Sequence, residues 1–234
     1  MIPLWSIPIA TVTGNCLILK PSERAPGAAM ILAELARDAG LPAGVLNIIH
    51  GSHDTVNFIL DEPAIKAISF VGSNRAGEYI YARGSANGKR VQANLGAKNH
   101  AVLMPDANIK DALKGLTGAA FGAAGQRCMA LSVLVTVGGT ERYLDSLVKV
   151  AQSLKIGYGF EDDVDIGPVI SPDSRKRIED IIGTAEKEGA RILLDGRGVC
   201  PNGYPNGNWV SRLKGKVVIC CLRPVRSDQQ LSRA

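Results

Sequence analysis

The hydrophobic positions of this sequence alternate between two patterns. Short apolar runs rich in β-branched residues are typical of buried strands, and they occur at 15–20, 44–51, 65–73, 89–96, 100–105, 131–137 and 191–196. Longer segments with apolar residues at helical spacing fill the intervals, at 21–40, 54–62, 75–85, 109–125, 141–154 and 172–190. Strands that alternate with helices predict an α/β fold, with a parallel sheet covered by helices on both faces.

The helix predicted over 21–40 has sequence signals at both of its ends. Ser22 or Glu23 lies near its start, and Pro26 falls near the first turn, where proline is tolerated. Gly40 is expected to end it. The strand–helix pattern continues to about residue 208 and is then lost.

The charge distribution excludes one class of function. The chain of 234 residues has a net charge of +5, and residues 209–234 carry six basic residues and one acidic residue. The remaining 208 residues are therefore neutral overall. The excess charge predicts a solvated basic tail over 209–234. Because the rest of the chain is neutral, we expect no nucleic-acid partner.

Composition indicates an ordinary globular protein, with 46% hydrophobic and 21% charged residues. No apolar run approaches the roughly 18 residues that a membrane span needs, so no membrane partner is expected. The apolar start lacks a basic region and is interrupted by Pro3 and Pro8, which argues against a signal peptide.

The five cysteines, at positions 16, 128, 200, 220 and 221, do not form a C-x-x-C pair. They have no ligand-like spacing with the three histidines, so no metal site is expected. An odd number of cysteines in a chain of this size favours reduced thiols over a disulfide framework.

Two strand ends carry residues suited to binding a nucleotide. Gly72 and Ser73 lie between an apolar strand and a helix, where free backbone amides and the helix dipole favour a phosphate. Lys20 ends another strand and could reach a ribose or phosphate at the same edge of the sheet. Each feature taken alone also fits a simpler interpretation, an ordinary turn and helix cap or a solvated lysine.

Cys128 follows a stretch of glycine and alanine over 118–125 and is preceded by Arg127. Small side chains leave room for a substrate, and a neighbouring cation favours the nucleophilic thiolate. The alternative is a buried, inert cysteine.

The order of four motifs decides between these interpretations. The segments GNCLILKPSE (14–23), FVGSNRAG (70–77), NLGAKN (94–99) and FGAAGQRCMA (121–130) resemble the aldehyde dehydrogenase superfamily, and residues 1–208 resemble its CoA-acylating semialdehyde dehydrogenases. The resemblance implies a truncated form of that fold. A partial, doubly wound NAD-binding domain covers 1–97, and a partial α/β catalytic domain covers 98–208.

The resemblance also implies residue roles. Cys128 is the nucleophile, Arg127 holds a substrate carboxylate, Lys20 and Glu23 face the adenine ribose of NAD, and Gly72 and Ser73 hold the pyrophosphate. Asn94 stands where most of the superfamily has a glutamate that activates water. Because an amide cannot act as a general base, hydrolysis of the acyl-enzyme is slowed and coenzyme A becomes the acyl acceptor.

The implied reaction is NAD-dependent oxidation of methylmalonate or malonate semialdehyde to propionyl-CoA or acetyl-CoA, with release of carbon dioxide. The family further implies homotetramers in the mitochondrial matrix that act in valine and pyrimidine breakdown.

The Asn-Phe-Pro segment that supplies the family's second oxyanion donor is not in the sequence. Losing one such donor costs on the order of 100- to 1,000-fold in rate. The alternative function is therefore a catalytically inactive nucleotide-binding or regulatory fragment. A hydrolytic enzyme with another base is a weaker alternative, disfavoured by Asn94.

Overall fold

The computed structural model describes residues 1–201 and 203–210. Most of the segment predicted as a basic tail, 211–234, lies outside the described residues. Contacts divide the chain into two compact units, Met1–Gly96 and a second unit that begins at Ala97.

The first unit alternates helices and strands as predicted. Its elements are α1 (Ile2–Val12), β1 (Leu17–Leu19), α2 (Gly27–Asp38), β2 (Leu46–Ile48), α3 (His53–Asp61), β3 (Ala67–Val71), α4 (Asn74–Ala86) and β4 (Arg90–Asn94). Strand β1 pairs with β2, and β3 pairs with β4, both in parallel. The buried apolar residues Ala29, Leu60 and Ile80 belong to the helices α2, α3 and α4.

The second unit contains β5 (Asn99–Leu103), α5 (Ile109–Phe121), β6 (Leu131–Thr136), α6 (Leu144–Ser153) and α7 (Pro172–Lys187). Strands β5 and β6 are parallel, and their register shifts between Asn99 and His100. Helix α6 packs against α5. The buried apolar residues of this unit include Leu103, Leu144, Leu147, Ala151, Ile166, Val169, Leu194 and Trp209.

The prediction of a parallel α/β fold is confirmed, but the described strands do not form one continuous sheet. The described strands form three separate two-stranded ladders. Strands β1 and β2 are only three residues long, so each offers few backbone groups for a further neighbour. Ile18 and Val102 remain 45% and 59% exposed, which shows that helices do not cover both faces at these strands.

Two helix boundaries differ from the prediction by four residues or more. Helix α2 begins at Gly27, with Pro26 at its N-cap, because Ser22 starts a turn in which its carbonyl accepts the Ala25 amide. Helix α5 ends at Phe121, four residues before the predicted end, because Ala123 and Ala124 adopt left-handed backbone angles with φ of +53°.

One helix was not predicted, and one predicted strand does not form. Helix α1 was not expected, but Pro3 falls in its first turn, where no amide donor is needed, and Pro8 is accommodated inside it. The strand predicted at 191–196 is absent, with only an isolated bridge residue at Leu194. The described residues provide no neighbouring strand there to complete a ladder.

An ion pair ties α4 to α3 at the surface of the first unit. Arg83 donates from Nε and Nη2 to the two carboxylate oxygens of Asp61, at 2.8 and 2.6 Å. The hydrogen bond from Arg83 is the main cause that lowers the pKa of Asp61 below its usual value. A depressed carboxyl pKa contributes stability at neutral pH that is lost as the pH falls through the folded-state value.

Candidate active site

Lys20 is held immediately after β1 by backbone carbonyls. Its Nζ donates to the carbonyl oxygens of Pro21 at 2.6 Å and Gly51 at 2.8 Å, and it lies 3.9 Å from the Glu23 carboxylate. The Lys20 side chain is 17% exposed and that of Glu23 is 55% exposed. The structure therefore brings these two predicted residues together, with the lysine fixed and the carboxylate facing solvent.

The turn from β3 to α4 presents backbone amides at the start of a helix of 13 residues. Ser73 is the N-cap, and its Oγ accepts the Ala76 amide at 3.3 Å. The amides of Asn74 and Arg75 have no partner among the described residues, and no acidic side chain lies in the first turn. Two free donors and the positive end of the helix dipole suit an anionic phosphate.

A short network joins this turn to the end of β4. The Gly72 amide donates to the Asn94 carbonyl at 3.1 Å, and the Gly96 amide donates to Asn74 Oδ1 at 2.8 Å. A Cβ atom at Gly72 would lie 2.5 Å from the tip of the Phe70 ring, so a larger residue there would require that ring to move. Gly72, Ser73 and Asn94 therefore meet at one edge of the β3–β4 ladder.

Asn94 is exposed at the last position of β4. Its backbone carbonyl is used by Gly72, while its side-chain amide forms no hydrogen bond with the described part of the chain. An amide in this place can donate or accept a hydrogen bond, but it cannot take a proton from water.

Arg127 and Cys128 lie in the second unit, on the loop from α5 to β6. Three consecutive residues with positive φ, Ala123, Ala124 and Gly125, turn the chain sharply before the loop. Such angles are costly for alanine, so this turn has to be held by surrounding contacts. Cys128 is half-buried and Arg127 is exposed.

The guanidinium of Arg127 folds back over Gly122, where an added Cβ atom would meet its nitrogen and carbon atoms at 2.9 to 3.0 Å. It has no hydrogen bond or ion pair with the described residues. An arginine with free donors beside a half-buried thiol can bind the carboxylate of a substrate that reaches the thiol.

Two residues that the sequence did not single out also contact this loop. Asn99 Nδ2 donates to the carbonyls of Cys128 and Ala130. The Gln126 side chain contacts Ala123, Pro168 and Ile170. The partners of Asn99 lie 29 and 31 positions away, and Pro168 and Ile170 lie 42 and 44 positions from Gln126. No local pattern in the sequence marks these long-range contacts.

Over residues 1–201 and 203–210, no group of three or more His, Cys, Asp or Glu side chains could hold a metal ion. Within the same residues, no helix has the length and apolar character required to cross a membrane.

Comparison with known proteins identifies related sequences. A model described as the aldehyde dehydrogenase family matches residues 1–212. The methylmalonate-semialdehyde/malonate-semialdehyde dehydrogenases [acylating], mitochondrial, of Mus musculus and Homo sapiens are each 57% identical over 224 residues. These alignments cover 96% of this chain but only 41% of the mouse and human proteins.

Solved structures of related proteins have the same fold. A putative methylmalonate-semialdehyde dehydrogenase from Sinorhizobium meliloti 1021, complexed with NAD, matches with a TM-score of 0.85 and 45% identity. The match covers 90% of this chain and 43% of the Sinorhizobium meliloti protein. A methylmalonate-semialdehyde dehydrogenase from Oceanimonas doudoroffii matches with a TM-score of 0.85 and 46% identity, over 44% of its length.

Proposed function

Because the chain belongs to the aldehyde dehydrogenase family, we propose that it carries the chemistry of a CoA-acylating oxidation of methylmalonate or malonate semialdehyde. The observation that carries the proposal is the exposed side-chain amide of Asn94 at the end of β4, which has no partner among the described residues. In this motif most of the superfamily has a glutamate that activates water. The acylating relatives of which the chain spans 41% support the same substrate class.

Cys128 is the proposed nucleophile. Its thiolate adds to the aldehyde carbon, and the resulting thiohemiacetal oxyanion can accept the backbone amide of Cys128. NAD, when bound, accepts the hydride and leaves a thioester on Cys128. The coenzyme A thiol then attacks that thioester, which forms acyl-CoA and frees the Cys128 thiolate.

Arg127 is proposed to hold the substrate carboxylate while the aldehyde carbon reaches Cys128. Before transfer to coenzyme A, the thioester loses its carboxylate as carbon dioxide and the carbon that carried it takes up a proton, so that the acyl group passed to coenzyme A is propionyl or acetyl. Arginine suits this role because its planar fork of donors pairs with both oxygens of a carboxylate.

The residues of the first unit fit the nucleotide. We assign the pyrophosphate to the amides after Gly72 and Ser73, and the adenine ribose to Lys20 and Glu23. The Lys20 ammonium is already fixed by two carbonyls, and the exposed Glu23 carboxylate beside it can accept from a ribose hydroxyl. We also propose a location in the mitochondrial matrix; the mouse and human relatives, named as mitochondrial enzymes, support the mitochondrion.

The test is NADH formation from malonate semialdehyde with and without coenzyme A. We expect formation that depends on coenzyme A and is lost in Cys128→Ala, which removes the nucleophile and little else. NAD binding without NADH formation would instead support the alternative of a nucleotide-binding protein that does not turn over. Rapid NADH formation without coenzyme A would contradict the acylating assignment.

Ser73→Asp separates the capping role of Ser73 from its proposed contact with phosphate. Aspartate caps a helix as well as serine does, so we expect the melting temperature to be retained. Its negative charge opposes the pyrophosphate, and we expect NAD affinity to fall by about tenfold or more. Isothermal titration with NAD measures this, with Ser73→Asn as the neutral capping control. Unchanged affinity in Ser73→Asp would place the pyrophosphate elsewhere.

A further inference from the structure

Two side-chain amides hold the loop that carries Cys128, one on each side of it in the sequence. Asn99, at the start of β5, contacts the cysteine and the segment that follows it. Gln126, two positions before the cysteine, connects the preceding turn to the segment 168–170. Both anchors come from within the second unit.

Asn99 uses its side-chain nitrogen twice. Nδ2 donates to the Cys128 carbonyl at 2.7 Å and to the Ala130 carbonyl at 2.9 Å. The contact coincides with the register shift between Asn99 and His100, where the β5–β6 ladder is irregular. The side chain therefore fixes carbonyl groups at the entry to β6, where the ladder is interrupted.

Gln126 uses both ends of its amide. Nε2 donates to the Ala123 carbonyl at 3.2 Å and, at a longer 3.5 Å, to the Pro168 carbonyl, while Oε1 accepts the Ile170 amide at 2.9 Å. The Gln126 backbone amide also donates to the Ala123 carbonyl at 3.0 Å. Ala123 is one of the two alanines with φ of +53°, so Gln126 holds a turn whose backbone is disfavoured for alanine.

We propose that Asn99 and Gln126 are positioning residues for Cys128. Neither places an atom on the reacting group. Together they fix the main chain before and after the cysteine, and thereby the direction of its thiol and of its backbone amide. The inference rests on the proposed role of Cys128 as the nucleophile, because only then does this orientation matter for catalysis.

The test measures how fast iodoacetamide alkylates Cys128 in the full chain, by mass spectrometry of its peptide. The exposed Cys16 and Cys200 serve as references within the same molecule. Asn99→Asp and Gln126→Glu preserve shape but remove the donors to the loop carbonyls. We expect each to raise the alkylation rate of the half-buried Cys128 roughly tenfold relative to Cys16 and Cys200, because losing such bonds favours local opening.

Asn47→Asp is the matched control, since Asn47 Nδ2 also donates to a backbone carbonyl, that of Gly44, at 2.8 Å. It lies in the first unit and should leave Cys128 labelling unchanged. Unchanged Cys128 labelling in both loop variants would overturn the proposal. An equal rise at all three cysteines in both variants would also overturn it, because it would indicate a general loss of stability.

NADH kinetics separate this inference from the proposed function. Labelling with iodoacetamide requires neither substrate nor NAD. A selective rise in the labelling rate of Cys128 therefore supports the positioning role even if the wild-type protein forms no NADH. A wild-type protein that forms no NADH would count against the proposed function alone. Where wild type turns over, we expect kcat to fall about tenfold in Asn99→Asp with KM little changed, since the bonds orient the nucleophile and do not contact the substrate.

Discussion

Replacing Asn94 with glutamate is expected to raise NADH formation in the absence of coenzyme A by about 100-fold or more, the size of a general-base contribution. The variant places a carboxylate where the exposed amide stands at the end of β4. A carboxylate can take a proton from water and so make the water able to hydrolyse an acyl thioester, whereas an amide cannot. The acyl group would then leave Cys128 as the free carboxylic acid.

The Asn94→Glu prediction is checked by following NADH with and without coenzyme A, together with chromatography of the acyl product. Asn94→Gln is the matched control, because it has the length of glutamate without its basicity. Its dependence on coenzyme A should equal that of wild type. The backbone carbonyl that accepts the Gly72 amide is retained in both variants, so the β3–β4 ladder should be undisturbed. Equal rates for the two variants without coenzyme A would contradict the role assigned to this position.

Replacing Arg127 with glutamine is expected to lower kcat/KM for malonate semialdehyde by about 100-fold, because it removes a charge-assisted, bidentate contact with the substrate carboxylate. Propanal lacks the carboxylate, so its kcat/KM should change by no more than about threefold. The side chain has no partner among the described residues and packs over Gly122, so the substitution should cost little stability.

Arg127→Lys distinguishes charge from geometry at this position. Lysine retains the positive charge but loses the planar fork, so an intermediate kcat/KM for malonate semialdehyde is expected. Steady-state kinetics with the two aldehydes give the comparison. An equal loss for malonate semialdehyde and propanal in Arg127→Gln would mean that Arg127 supports the loop or Cys128 rather than the carboxylate.

Local patterns in the sequence predicted most of the elements. β3 (Ala67–Val71) and β6 (Leu131–Thr136) fall inside predicted apolar runs. A strand is recognisable in this way because its β-branched and apolar residues occur within a few consecutive positions. The segment 191–196 also contains a short apolar run, at 192–194, but forms no strand. A strand also needs a neighbour to satisfy its backbone groups, and composition alone does not supply one.

In the candidate site, too, some features follow from the local sequence and others depend on tertiary contacts. The motif around Ser73 predicted a helix N-terminus, and Ser73 is the N-cap of α4. The end of α5 was predicted too late, because an alanine-rich stretch favours a helix locally, whereas Ala123 and Ala124 are left-handed. Hydrogen bonds of the Gln126 side chain with Pro168 and Ile170 accompany that conformation, and they depend on residues more than 40 positions away.

The sequence by itself determined the parallel α/β class, the order of most elements and the family, since these depend on short-range periodicity and on motifs read in order. Only the tertiary structure revealed the separate ladders, the left-handed turn before Cys128 and the two amides that hold the loop. These depend on hydrogen bonds between residues such as Asn99 and Cys128, 29 positions apart. Such bonds form only when the chain brings the two segments together, and no propensity of either segment encodes them.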